Sequence, residues 1–161
     1  MTHFITCDLC DEHPERVNVV TGIHWQHYGA RAAYGGQIIT VKCFEDNTKV
    51  KSLLSTDGEG KVLVVDGGGS LRNALIGDMI AASAVKNHWS GVLIYGACRD
   101  VDALATLDIG LTALGAVPIK SVRRDEGQVN LPVSFGNVTF TPGHYVYVDR
   151  NGVLTSATAL V

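Results

Sequence analysis

Proline is scarce in this sequence, 4 residues in 161, and nowhere do 18 apolar residues follow one another. The second absence excludes a helix long enough to cross a bilayer. The opening residues, Met1-Thr2-His3-Phe4, lack a basic stretch leading into an apolar one, so no secretory leader is expected. A basic block is missing as well. Arg123-Arg124 is the only adjacent pair of basic residues, and the formal net charge is −3. Proteins held to nucleic acid by charge show a basic stripe, so direct nucleic-acid binding is not expected. The expectation is a cytoplasmic protein without membrane attachment. Its four cysteines (Cys7, Cys10, Cys43 and Cys98) are then expected to be thiols.

What the sequence does contain is an ordinary globular balance, 46% hydrophobic and 18% charged, with 18 glycines. That length and composition suit one domain over residues 1–161 with many tight turns. Thr6-Cys7-Asp8-Leu9-Cys10-Asp11 reads as a short helix with Thr6 as N-cap, and Pro14 lies just beyond it. The β-branched run from Gln37 to Phe44 reads as a strand, and Asp46 or Asn47 caps a helix reaching about Ser55. Lys61-Val62-Leu63-Val64-Val65 is apolar between charged ends, the pattern of a strand buried on both faces. A tight loop, Asp66-Gly67-Gly68-Gly69-Ser70, follows it. A helix is expected from Asp78 to about His88, where Ala81, Ala82 and Ala84 permit close packing, and a second buried strand over Val92-Leu93-Ile94-Tyr95. The last third is rich in β-formers punctuated by Gly136-Asn137, Pro142-Gly143 and Asn151-Gly152, which are turn signals. The class is α/β, closing in β-hairpins.

The helix from Gly77-Asp78 and the strand ending at Cys98-Arg99-Asp100 form a βαβ-like unit. A helix of about 11 residues runs back roughly 16 Å along a sheet, and the strand returns over a similar distance. The helix start and the strand end therefore share one edge, the edge at which open α/β sheets bind ligands. Asp78, Arg99 and Asp100 are expected to meet there, beside free N–H groups from Gly77 through Met79 to Ile80. A helix N-terminus attracts anions, an Arg fork takes a carboxylate, and an Asp can hold a hydrated hard cation. The plainer meaning of an Arg-Asp pair after a strand is a surface ion pair or a helix cap.

Several segments together resemble the RraA-like family (regulator of ribonuclease activity A). They are Gly35-Gly36, Thr40 to Asn47, Val62 to Arg72, Ile94-Tyr95-Gly96, Arg99-Asp100, Phe135 to Phe140 and Asp149 to Val153. The likeness runs from Asp8-Leu9-Cys10-Asp11 to about Leu154. Members with aldolase activity carry an Asp, twenty intervening residues and then Arg-Asp, as Asp78 and Arg99-Asp100 do here. The resemblance implies a swivelling β/β/α-type fold, with a central sheet or barrel flanked by helices and C-terminal hairpins. It implies a lyase: a class II aldolase dependent on Mg²⁺ or Mn²⁺ that cleaves 4-hydroxy-4-methyl-2-oxoglutarate or a related 4-hydroxy-2-oxo diacid to pyruvate, with oxaloacetate decarboxylation as a side activity.

By the same resemblance, Gly77, Asp78, Met79, Ile80 and Arg99 bind substrate, with Arg99 gripping its carboxylate. Asp100 holds the metal, and Asp78, Arg99 and Asp100 are catalytic. A homotrimer with sites at subunit boundaries, able to stack to a hexamer, is also implied. Longer aldolases of the family take an acid from a C-terminal extension of a neighbouring subunit, so the base for the 4-hydroxyl is not assigned to a residue here. The alternative is a protein-binding regulator that inhibits ribonuclease E. The regulator that named the family carries Gln at the position of Asp100, which tilts this sequence toward catalysis.

Other patterns carry less. Gly67-Gly68-Gly69 after a strand hints at a methyltransferase, but no G-x-G-x-x-G follows and S-adenosylmethionine binding is not expected. Cys7 and Cys10 have redox spacing without a thioredoxin pattern, and read as small thiols facing a core. His24 and His27, one helical turn apart, lack the further ligands of a zinc site and read as structural or interface residues. Cys98, beside Arg99, is reactive only if its pKa is lowered, and otherwise is packing. His144 reads as a surface turn residue.

Overall fold

The computed structural model describes residues 3–161. Helices are α1 (Thr6–Glu12), α2 (Thr48–Leu54), α3 (Asp78–Lys86) and α4 (Val101–Leu104). Strands begin with β1 (Asn18–Val19), β2 (Gln26–His27), β3 (Tyr34–Lys42), β4 (Lys61–Asp66), β5 (Ala74–Ile76) and β6 (Gly91–Cys98). They continue with β7 (Gly110–Ala116), β8 (Gln128–Val129), β9 (Val133–Phe135), β10 (Val138–Phe140), β11 (Tyr145–Asp149) and β12 (Gly152–Ser156).

One sheet runs in the order β1-β12-β11-β3-β4-β6-β7-β2, with β8 beside β3. The centre, β3-β4-β6-β7, is parallel, while β11, β12 and β1 extend it antiparallel on one side and β2 on the other. A parallel centre needs cover on both faces, and it has it. Leu63, Val65, Val92 and Ile94 share a core with Val50, Leu54, Ile80, Ala81, Ala84 and Leu104 of the helices. On the opposite face Val62, Val64 and Leu93 pack against Phe135, Val138 and Phe140 of the separate β9–β10 hairpin. The layers are therefore hairpin, sheet, helices: a mixed α/β fold with β/β/α stacking. All four apolar residues of β4 are fully buried, as its uninterrupted apolar run predicts. No helix among the described residues is long and apolar enough to cross a membrane.

Tyr34 ties the start of the sheet together. Its ring lies over the first residues of β6 and β7, where a Cβ on Gly91 or Gly110 would fall 2.1 or 2.0 Å from a ring carbon. Its hydroxyl donates to Thr112 Oγ1 at 2.8 Å. Glycine at both positions is what lets an aromatic ring cross two strands.

Three local expectations are corrected. Thr6 is not an N-cap: Ile5 occupies that place without a side-chain bond. The Thr6 hydroxyl instead donates to Asp149 Oδ1 at 2.6 Å, fastening α1 to β11. His24 and His27 do not lie on a helical turn, since Gln26–His27 is a strand paired with β7. Of the two thiols of α1, Cys7 is exposed and only Cys10 packs against the small cluster of Phe4, Leu9, Tyr147 and Leu154. All four cysteines are free. At α2 Asn47 holds the N-cap place without a side-chain bond, and Asp46 just before it supplies the bonds, its Oδ1 accepting from the N–H (2.9 Å) and hydroxyl (2.6 Å) of Thr48.

Candidate functional site

β4 accompanies β6 only as far as Tyr95. Beyond that point β5 takes its place, with Ala74 opposite Ala97 and Ile76 opposite Cys98. The chain leaving β5 enters α3 at once, through Gly77, so the end of β6 and the start of α3 are held side by side. The Arg99 N–H donates to Ile76 O at 3.0 Å, which places Arg99 next to Gly77. Asp100 then adopts a left-handed conformation (φ 60°, ψ 44°), which Asp tolerates better than most residues. That turn carries the chain into α4 and aims the carboxylate at α3.

Asp100 Oδ2 accepts the N–H of Asp78 at 3.1 Å, and the Arg99 Nε lies 3.9 Å from the same oxygen. Both side chains are a little over one third exposed. A Cβ on Gly77 would sit 2.5 Å from Asp100 Oδ2, so glycine is required for this approach. The N–H groups of Met79 and Ile80, in the first turn of α3, have no carbonyl of their own helix to bond. The region is thus a helix N-terminus, a guanidinium and a carboxylate within a few ångströms.

A cavity of about 700 Å³ opens here, walled by Gly77, Met79, Ile80 and Arg99 among the expected residues. Asp78 and Asp100 stand beside it without forming its wall, and the Ile80 side chain points into the core, 8% exposed. Met79, by contrast, is 83% exposed. The opposite wall was not anticipated: Asn47, and the segment Ile119 to Arg123, with Lys120 and Arg123. The signal available for it was the basic pair Arg123-Arg124, which charge counting alone could not place.

Asp46 fixes that wall. Burial raises its pKa, but hydrogen bonds from the Thr48 hydroxyl and N–H and from the N–H groups of Arg124 and Glu126 outweigh burial and hold it at about 2. Cys98 is inert packing, its thiol pushed up to about 12 chiefly by burial. Among the described residues no three His, Cys, Asp or Glu side chains gather as a metal cage. A second cavity, about 520 Å³, lies at the other edge of the sheet, where Arg31 is already engaged by Asp108 at 2.8 Å.

Comparison with known proteins agrees on the family and the fold, while the activities named among the relatives differ. The family model RraA-like, described as Aldolase/RraA, matches residues 6–155. A protein of Alcanivorax borkumensis is 69% identical over 158 residues, covering 98% of this chain and 99% of its own length. One from Acinetobacter baylyi is 57% identical over 163 residues, with coverages of 98% and 96%. Both bear the name "Putative 4-hydroxy-4-methyl-2-oxoglutarate aldolase". Among solved structures, the RNA-processing inhibitor RraA from Thermus thermophilus superposes with a TM-score of 0.94 at 38% identity, covering 99% of this chain and 96% of that one. A Geobacillus kaustophilus protein described as S-adenosylmethionine:2-dimethylmenaquinone methyltransferase gives 0.95 at 39% identity, with coverages of 98% and 97%.

Proposed function

The chain belongs to the RraA-like family, and from that premise we propose that it is a divalent-metal-dependent aldolase cleaving 4-hydroxy-4-methyl-2-oxoglutarate, or a related 4-hydroxy-2-oxo diacid, to pyruvate. The observation that carries this reading is the meeting of Arg99, Asp100 and the first turn of α3 beside one cavity, of which Arg99 forms part of the wall.

The donor set suits Mg²⁺ or Mn²⁺. Only Oδ2 of Asp100 is used within the fold, on the Asp78 N–H. Oδ1 is left for a hard cation that keeps most of its waters and needs one or two carboxylates. When bound, such a cation supplies Lewis acidity that stabilises negative charge on the 2-oxo oxygen as the C–C bond breaks. Arg99 holds the adjacent carboxylate through its fork and adds positive charge beside that oxygen. The first-turn N–H groups of α3 contribute a field of the same sign. The proton lost from the 4-hydroxyl as the C–C bond breaks passes to solvent, and Asp78 orients a water that delivers one to C3 of the pyruvate enolate, releasing pyruvate. Oxaloacetate decarboxylation passes through the same enolate and is a side activity on this reading.

Lactate-dehydrogenase-coupled detection of pyruvate, with Mg²⁺ and the six-carbon substrate, tests the proposal. EDTA, Asp100→Ala or Arg99→Ala each lowers the rate by about 100-fold, the loss typical when charge stabilisation is removed. A rate indifferent to EDTA and to Asp100→Ala refutes the metal role. We further propose a trimer with these sites at subunit boundaries: Met79, Ile119 and Val122, in the cavity wall, are exposed apolar residues that a neighbouring subunit would cover.

The likeness to the RNA-processing inhibitor favours a second reading, a docking partner of ribonuclease E. Retention of that enzyme by catalytically dead protein supports it, and its absence at micromolar concentration removes it. The methyltransferase name of the other neighbour finds less support. The Gly67-Gly68-Gly69 loop leads into strand β5 and not into a helix whose N-terminus could take a nucleotide.

A further inference from the structure

The cavity is walled by three cationic side chains, Arg99, Lys120 and Arg123, and by no carboxylate. That is a local excess in a chain whose net charge is −3. Among the described residues neither Lys120 nor Arg123 takes part in an ion pair. Binding the carboxylate next to the 2-oxo group needs only one of the three.

The segment bearing the other two is held in place by bonds to both flanks. The Ala74 N–H donates to Ile119 O at 2.7 Å, Asn73 Nδ2 to Lys120 O at 3.1 Å, and the buried Ser121 hydroxyl to Ala74 O at 2.8 Å. On the other side, Asp46 Oδ2 accepts the N–H of Arg124 at 2.7 Å. Arg123 itself donates from Nε to Oδ1 of the buried Asn47 at 3.1 Å. Nε is therefore occupied, and the two terminal nitrogens of the fork are free for a ligand. A guanidinium fixed in this way loses little freedom on binding.

We propose that Lys120 and Arg123 clamp the distal carboxylate of the substrate and make the site selective for dicarboxylic acids, with Asn47 as the residue that positions Arg123. The proposal rests on Arg99 being the grip on the 2-oxo acid's own carboxylate. Two cations side by side favour a charged group over an analogue that lacks it, because the analogue cannot make the charge-assisted hydrogen bonds they offer.

Equilibrium binding tests this without turnover. In the presence of Mg²⁺, calorimetry compares 2-oxoglutarate with 2-oxopentanoate, which differ only in the distal carboxylate. The native chain binds the diacid at least about tenfold more tightly, the scale of one charge-assisted hydrogen bond. Arg123→Gln and Lys120→Gln each shrink that ratio by about tenfold, and Arg123→Lys, which keeps the charge but neither the Nε bond to Asn47 nor the fork, recovers only part of it. Equal affinity of the native chain for the two acids, or a ratio unmoved in both Gln variants, overturns the clamp. Deuterium exchange into the pyruvate methyl group, followed by NMR on the native chain, separates the two levels. Absence of exchange counts against the aldolase reading, whereas the affinity ratio judges the clamp alone.

Discussion

Asp46 concentrates more hydrogen bonding than its exposure would suggest: the side chain is nearly sealed, 3% exposed, and its two oxygens accept from Thr48, Arg124 and Glu126. Its pKa is held at about 2 against an ordinary value near 4. A carboxyl depressed in the folded state stabilises it above the unfolded pKa, and that contribution is lost as pH falls through the folded one. Acid titration should therefore loosen the 119–126 wall between about pH 4 and pH 2. In Asp46→Asn the stability at pH 7 falls and the slope of stability against pH across that window flattens; urea midpoints measured at several pH values check both. The roles of such residues were the least legible part of the sequence. Thr6 has the composition and place of a cap, but its hydroxyl partner, Asp149, is 143 residues away. Nothing near Asn47 or Arg123 announces that one orients the other across 76 residues.

Elements were legible in proportion to how far their own residues decide them. β4 and the middle of β6 are runs of buried β-branched and aliphatic residues, and they fold as read. The turn at Gly136-Asn137, with φ of 60° and 64°, joins β9 to β10 with the two-residue geometry that these residue types favour. β7, by contrast, is Gly-Leu-Thr-Ala-Leu-Gly-Ala, poor in β-formers, and exists because β6 offers it a parallel edge and Tyr34 needs a glycine beneath its ring. β5, three residues long, is likewise a product of its neighbour. The reading that placed Asp78, Arg99 and Asp100 at one sheet edge relied only on a helix and a strand of similar length, whereas the opposite wall is irregular chain without periodicity. Overpacking measures the cost at β6: Gly91→Ala drives a Cβ into the Tyr34 ring and should destabilise by about 1–3 kcal/mol, read as a lower urea midpoint with an unchanged slope.

At the scale of the whole molecule, the three layers decide which groups solvent can reach. Cys43 and Cys98 lie in the core between sheet and helices, with thiols pushed up to about 12 mainly by burial. Cys7, on the outer side of α1, is exposed. A disulfide reagent such as DTNB should therefore modify Cys7 rapidly in the native protein. Cys43 and Cys98 should react only as fast as the molecule opens globally, so that their rates rise with urea in step with unfolding. Fast labelling of Cys98 would mean that the β6 end is far looser than its hydrogen bonds to β5 imply.

The aromatic crossbar at the start of the sheet has a consequence for what can be rewritten. Tyr34, Gly91 and Gly110 lock the rim farthest from Arg99 and Asp100, and that lock is independent of the side chains facing the cavity. On the proposed clamp, exchanging the exposed Lys120 and Arg123 would change which acid is accepted while leaving the Tyr34 packing at the far rim untouched.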